Sequence, residues 1–380
     1  MRSNCRTASL IIILALLSPN AFAKIITATS GSRQDIQTAV NATSKGDTVK
    51  IPAGQFLLSG TVQIDAGITI MGAGIDQTIL KKTDGSSKHM FQVDCANRER
   101  IIITGITFIG VDDGTKDRGI NLDKNCENFR VYNCSFKKFD WAGIQVRGNA
   151  RGVVDHCRFI DNYKRGLGYG LEIIGDADAS WQRSLDLGTE NAVFVEDNYF
   201  KGCRHTIASN NGARYVFRHN QIEDNREDAA AIDAHGLVSS WPRGTRSYEI
   251  YENSISNSVD RWSGIGIRGG DGVIFNNSFL KGVDDAIKLW NDGGNDCYPC
   301  KDQIRDLYIW NNTHIGKEAD VTFWRGSEQV IKKDRDFFLK PRPGYTPYIY
   351  PHPLVTEGSS GSGADKQPPN PPQNLRVERE

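Results

Sequence analysis

A short pattern, hydrophobic-x-hydrophobic-x-(Asn or Cys)-x-(Phe or Ile), recurs along most of this chain and restricts what it can fold into. It reads IITGITF from Ile102, RVYNCSF from Arg130, VVDHCRF from Val153 and FVEDNYF from Phe194. It continues as VFRHNQI from Val216, EIYENSI from Glu249, VIFNNSF from Val273 and YIWNNTH from Tyr308. One column of the pattern holds Cys134, Cys157, Asn198, Asn220, Asn253, Asn277 and Asn312. Repeats of roughly twenty-odd residues built from short strands stack into a solenoid instead of closing into a globule. The Asn column reads as structural: stacked amides bond one another and satisfy a buried bend, with Cys134 and Cys157 as small substitutes in the row.

The two ends differ from this body. Arg2 and Arg6, the apolar run Leu10 to Leu17 and the small-x-small triplet Ala21-Phe22-Ala23 predict a secretory signal over residues 1–23. That run is too short to span a bilayer, so the mature chain is expected to be exported, extracellular or periplasmic, without a membrane span. Formal charge sums to zero, so no global field points to nucleic acid or an anionic membrane. Seven of the eight cysteines follow the signal, an odd number that leaves at least one free thiol in a monomer, the state expected here. Cys297-Tyr-Pro-Cys300 is expected to bridge a loop in an oxidising compartment; no βαβ pattern or second ligand pair supports a redox or zinc motif. Residues 356–380 are rich in Ser, Gly and Pro and read as a flexible tail, although PPQNLRV resembles the first strand of a fibronectin type III module. Residues 24–355 form the domain.

Within that domain Ser32-x-x-Asp35 predicts a capping box for a helix through Thr43, with Ile36, Ala39 and Val40 on one face. Such a helix would plug the open end of a parallel solenoid. Each later coil adds a second strand: GINLD from Gly119, GIQVR from Gly143, GLEII from Gly170, TIASN from Thr206, AIDAH from Ala231, GIGIR from Gly264 and AIKLW from Ala286. Alternation places Ile120/Leu122, Ile144/Val146 and Ile287/Leu289 inward. The opening DIQTAVNATSKGDTVKIPAGQFLLSGTVQI, the repeats and the closing GYTPYIYPHPL together resemble the pectate-lyase-like (pectin lyase fold) superfamily over nearly all of Lys24 to Leu354. The resemblance implies an all-β fold, a single-stranded right-handed parallel β-helix with a short N-terminal capping helix. It fixes no reaction, because the same coil carries lyases, hydrolases, epimerases and non-catalytic proteins.

Three excursions, Ile174 to Asn191, Gly236 to Ser247 and Asn291 to Asp306, leave one corner of the coil, whereas the opposite corner stays short. They are expected to stack into a wall where binding residues sit. Trp181, Arg183, Trp241, Arg243 and Arg246 on that wall suit a sugar polymer: aromatic faces stack on rings and guanidinium forks grip carboxylates. One outward column of the adjoining sheet reads Asn121, Gln145, Glu172, Ala208, Asp233, Gly266, Lys288. The next reads Asp123, Arg147, Ile174, Asn210, His235, Arg268, Trp290. Small residues above and below Asp233 leave a depression beneath which Asp233, His235 and Arg268 converge.

Cleavage of an acidic, uronic-acid-containing polysaccharide by β-elimination needs a cation on the substrate carboxylate and a base for the adjacent proton. Arg268 or Arg147 would neutralise, and His235 or Lys288 would take the proton. Asp233-Ala-His235 resembles the Asp-x-His of uronan epimerases, with the Pro and second Asp of that signature replaced by Ala234 and Gly236. Hydrolysis needs two carboxylates; Glu172 and Asp233 lie two coils apart, about 10 Å, near the upper end for inversion. Gly282-Val-Asp284-Asp285 resembles the paired aspartates of polygalacturonases, but the turn also suits a structural role. Acidic turns at Asp112-Asp113, Asp176-x-Asp178 and Asp292-x-x-x-Asp296 leave Ca2+ open. A non-catalytic carbohydrate-binding or cell-surface rod is the remaining alternative.

Overall fold

The structure is a computed structural model that describes residues 23–83, 89–95, 99–227, 229–238 and 240–357. The signal expected over 1–23 lies outside the described residues apart from Ala23, as does the tail expected over 356–380 apart from Thr356 and Glu357. The chain winds as a right-handed parallel β-helix of three sheets with 12, 10 and 11 strands. The Asn-bearing repeats supply strands of the first and third sheets, and the outward columns lie on the second. At ~4.8 Å per strand the longest sheet spans about 53 Å. Apart from one short antiparallel pair, Thr313–His314 with Lys317–Glu318, the sheet neighbours are parallel.

The Asn column builds the bend between the first and third sheets. The residue before it is left-handed in coil after coil: Asn133, His156, Asp197, His219, Glu252, Asn276 and Asn311 all have φ between 49° and 56°. That conformation costs a non-glycine residue on the order of 1–2 kcal/mol. The ladder offsets it. Asn198 donates to Asn220 at 3.1 Å, Asn220 to Asn253 at 3.1 Å, Asn253 to Asn277 at 2.9 Å and Asn277 to Asn312 at 2.9 Å. Each side-chain oxygen also accepts the backbone N–H of the preceding coil's ladder residue, and Cys157 joins the row by donating its N–H to Asn198.

Inside, Phe108, Phe136, Phe159 and Phe200 stack at centroid spacings of 5.1, 5.1 and 4.7 Å, close to the coil repeat, and Phe91 meets Phe108 edge-on at 5.1 Å. This stack explains the glycines that open the second strands. A Cβ on Gly143 would meet Phe136 and Phe159 at 2.9 Å, and one on Gly170 would meet Phe200 at 2.7 Å. Those glycines face inward, as do Ile144 and Leu171 directly after them, so the in–out alternation slips by one residue at the strand start. Ala142, Tyr169 and His205, aligned one above another, are turned outward by that slip.

The helix Arg33–Asn41 covers the first coils with Ile36, Ala39 and Val40 buried. Ser32 Oγ accepts from Asp35 N at 3.2 Å, while the Asp35 carboxylate takes Ser30 Oγ instead of the backbone of Ser32. Cys95 pairs with Cys126 and Cys297 with Cys300, leaving Cys134, Cys157 and Cys203 free and buried. After the last coil the chain returns along the outer face of the first sheet. Tyr345 donates to Glu249, Tyr350 to Asp197 and His352 N to Glu196, and buried Arg218 donates to the carbonyls of Tyr348 and Ile349. The return ends at Glu357, 2.9 Å from Arg100. Among the described residues no helix is long and apolar enough to cross a membrane.

Candidate functional site

The second sheet runs in the register read from the sequence. Asn121, Gln145, Glu172, Ala208, Asp233, Gly266 and Lys288 lie in one row. Gln92 and Gln63 extend it downward and Thr322 upward. Gly266 is required here, because a Cβ would sit 2.8 Å from that of Ala230 and 3.0 Å from the Trp290 ring.

Asp233 has no exposed surface. Arg268 forks onto its carboxylate, Nε to Oδ1 at 2.8 Å and Nη2 to Oδ2. Arg268 Nη1 also lies 3.6 Å from Asp292. Asn210 sets the tautomer of His235. Its Oδ1 accepts from Asn211 N, which leaves its Nδ2 to face His235 Nδ1 at 3.4 Å. His235 Nε2 therefore carries the hydrogen and donates to Asp233 Oδ2 at 2.9 Å. A second ring arrives from below: His205 Nε2 is 3.3 Å from the same oxygen. Burial alone would raise the Asp233 carboxyl, but the charge of Arg268, aided by the hydrogen bond from His235, holds it well below the usual carboxylate range. Burial pushes His205 down to about 3 against the pull of Asp233, so that ring is neutral.

A cavity of about 580 Å³ opens above this group. Its walls are Trp262, Trp290 and Trp324; Trp262 meets the other two edge-on at 5.5 and 5.1 Å. Asp284 and Arg325 line its exposed side. Lys288 is buried against this wall: its nitrogen lies 4.2 Å from the Trp262 centroid and is paired with Asp285. Arg204, also on the lining, is paired with Glu227 at 2.9 Å.

Of the residues expected at a site, Asp233, Arg268 and Trp290 line this cavity, Lys288 backs it, and His235 and Asn210 brace its floor. Glu172, two coils below, is buried and accepts from Trp141 Nε1 at 2.6 Å and from Gln145. Arg147 is exposed in a lower coil, outside the cavity. The three excursions do stack into one wall, yet the three arginines expected to grip a ligand are already paired. Arg243 grips Asp302 at 2.6 Å and Asp178 at 2.7 Å, Arg183 pairs with Asp176 at 2.6 Å, and Arg246 with Asp271 at 2.8 Å. Trp181 donates to Gly244 O at 3.2 Å and packs against the guanidinium groups of Arg243 and Arg246. Trp241 is half-buried in a turn. None of these five lines the cavity. Of the acidic turns, Asp176 and Asp178 are held by those arginines, and Asp292 accepts from Trp290 Nε1 at 3.0 Å. Among the described residues, one group of three His, Cys, Asp or Glu side chains brings its donor atoms within 4.8 Å of one another: His205, Asp233 and His235.

Sequence reading passed over His205, Trp262, Trp324, Asp284 as a lining residue, and Arg325. Trp324 was accessible to it, lying two residues beyond Thr322, which shares the outward row. Trp262 escaped because its strand begins at Arg261, ahead of Gly264. His205 escaped because simple alternation groups it with inward Ile207.

The family model described as "Rhamnogalacturonase A/epimerase, pectate lyase-like" matches residues 20–241. No curated protein sequence matches significantly. Among solved structures, the chain is similar to an alginate lyase from Paenibacillus sp. str. FPU-7, at 14% identity over 70% of this chain and 98% of that one, TM-score 0.46. It is similar to a mannuronic acid specific polysaccharide family 6 lyase from human gut microbiota, at 14% identity over 83% and 85%, TM-score 0.45. The Dettilon tailspike protein matches at 13% identity over 82% of this chain and 64% of its own, TM-score 0.50, a likeness of fold alone. With more than half its length inside the family match, the chain belongs to the rhamnogalacturonase A/epimerase, pectate lyase-like family of parallel β-helix proteins.

Proposed function

We propose that the protein cleaves an acidic, uronic-acid-containing polysaccharide by β-elimination in the cavity over Asp233. Membership in a family described by a rhamnogalacturonase, an epimerase and pectate lyase supports a polysaccharide substrate. The observation that carries the finer reading is the lining itself: three tryptophans beside Arg268 and the exposed Arg325, with Lys288 behind them. Aromatic faces take sugar rings, and guanidinium groups take the uronate carboxylate. Neutralising that carboxylate acidifies the proton on the neighbouring carbon. Lys288, relaying a hydrogen to its partner Asp285, takes this proton; a double bond forms as the C4–O4 bond breaks, and the departing O4 takes the proton back from the same lysine. His235 and Asp233 serve as positioning residues, since both ring nitrogens of His235 are engaged and the Asp233 carboxylate is committed to Arg268.

Hydrolysis is the second reading, favoured by one observation: the exposed carboxylate of Asp284 on the cavity. The pair Glu172 and Asp233 does not serve it, because Asp233 is held ionised and Glu172 lies outside the lining. Incubation with pectate, alginate and glycosaminoglycans separates the readings. Growth of the ultraviolet band of unsaturated uronate, lost in Lys288→Ala, supports elimination; new reducing ends without that band support hydrolysis. Binding without either product makes the protein a carbohydrate-binding rod and overturns both. Export is part of the same proposal, and a mature N-terminus at Lys24 in secreted material is its check.

A further inference from the structure

We propose that His205, Asp233 and His235 form a binding site for a divalent transition-metal cation of the zinc class. The first ground is an orphaned atom. His205 Nδ1 lies 2.5 Å from the carbonyl oxygen of Ala230, which can only accept, so Nδ1 carries the ring hydrogen. Its Nε2 therefore presents a lone pair, is fully buried, and has no hydrogen-bond partner among the described residues. What it faces, at 3.3 Å, is the carboxylate oxygen Asp233 Oδ2. Asp233 Oδ2 already takes Arg268 Nη2 and His235 Nε2, but the lone pair of His205 Nε2 meets no positive partner in this dry interior, and a cation would supply one.

The second ground is geometry. A tetrahedral cation with bonds of about 2.0–2.1 Å sets its ligand atoms roughly 3.3–3.5 Å apart. Asp233 Oδ2 is 3.3 Å from His205 Nε2 and 2.9 Å from His235 Nε2, and all three donor atoms fall within 4.8 Å. The carbonyl of Ala230 behind His205 is the outer partner that fixes a ligating imidazole in place.

Arg268 now holds both carboxylate oxygens, and the structure offers it an alternative. If Nη2 leaves Oδ2 while Nε keeps Oδ1, Nη1 already lies 3.6 Å from Asp292. His235 ligates through Nε2 once its hydrogen moves to Nδ1 and the Asn210 amide turns its oxygen toward it. A cation here would leave net positive charge beneath the tryptophan-lined cavity, suited to an anionic ligand.

The site does not depend on the cleavage chemistry, and its test needs no substrate. Chelator-stripped protein is titrated calorimetrically with Zn2+, and separately with Co2+ while the visible ligand-field bands are recorded. Saturable one-to-one binding is expected, with bands of a four-coordinate nitrogen–oxygen site, weakened roughly 100-fold or more by His205→Gln. His235→Gln, at the more exposed ligand, repeats the test should His205→Gln fail to fold. Absence of saturable binding, six-coordinate aquo-type cobalt bands, or Zn2+ affinity unchanged in a folded variant would each overturn the site.

Discussion

The two flanks of the second sheet invert the usual expectation. On one flank the chain spends its long excursions, rich in arginine and tryptophan; on the other it turns in a few residues. Yet the arginines of the long flank are already paired, Arg183 and Arg243 with aspartates of the wall and Arg246 with Asp271 at the start of the next strand. The short flank sends single side chains, Trp262 and Asp284 from strand starts and His205 from the alternation slip, into an open cavity. Loop length shows where a scaffold tolerates extra chain. Whether a charge is available to a ligand depends on whether the protein has already paired it.

The sharpest test of this contrast removes one buried acid from each flank. Asp233→Ala leaves Arg268 without its main partner and is expected to cost about 3–5 kcal/mol in denaturant unfolding, together with turnover. Asp302→Ala strips Arg243 on the wall and lowers stability by a similar order, but turnover per folded molecule should persist. Loss of turnover in the second variant would return the site to the long loops.

Tryptophans come next in size. Trp262→Ala should raise the Kd for an oligouronide about tenfold, the equivalent of ~1.4 kcal/mol. Trp181→Ala should leave that Kd unchanged while lowering the unfolding midpoint, because its ring packs on arginines and its N–H caps Gly244 O. Equal effects on affinity would erase the distinction.

Acid unfolding separates the flanks with opposite signs. Asp233 titrates below its unfolded value, so its stabilisation is present above the unfolded pKa and is lost as pH falls through the folded one. Asp271 beside the wall is raised by burial against the pull of Arg246. Its folded form binds a proton more readily, and stability from it falls as pH rises through that window. Asp233→Asn should therefore flatten the acid limb, whereas Asp271→Asn should steepen it, as read from unfolding free energies between pH 3 and 6. Smallest of all, Arg183→Ala at a partly exposed pair should change stability by no more than about 0.5 kcal/mol and leave oligouronide affinity alone.

The fold was almost entirely legible from the chain because a repeat prints the same constraint many times. Coil after coil places an amide or a cysteine at the bend, most often a Phe or Ile at the stack and hydrophobes on the inward positions, so errors in one coil are corrected by its neighbours. The register of Asp233 with Ala208 and Gly266 came from the same redundancy. The cavity did not, since its parts occur once each. His205 points outward because the slip set at Gly143 and Gly170 in the coils below is kept at Thr206 in its own strand, an effect of stacking that no single strand records. Arg243 and Arg246 looked available because their partners Asp302 and Asp271 are distant in sequence and meet them only once the coils are stacked, whereas Arg183 pairs with Asp176 inside its own excursion.

The return segment from Tyr345 to Glu357 bears on how such a rod comes apart. A solenoid held only by contacts between adjacent coils peels from its tips, one layer at a time. Here a single stretch of backbone is riveted to Glu249, Arg218, Glu196 and finally Arg100, so layers far apart share one clasp. Peeling from either tip must release that clasp before it can pass these layers, which ties them into a common melting unit and lengthens the life of the native state.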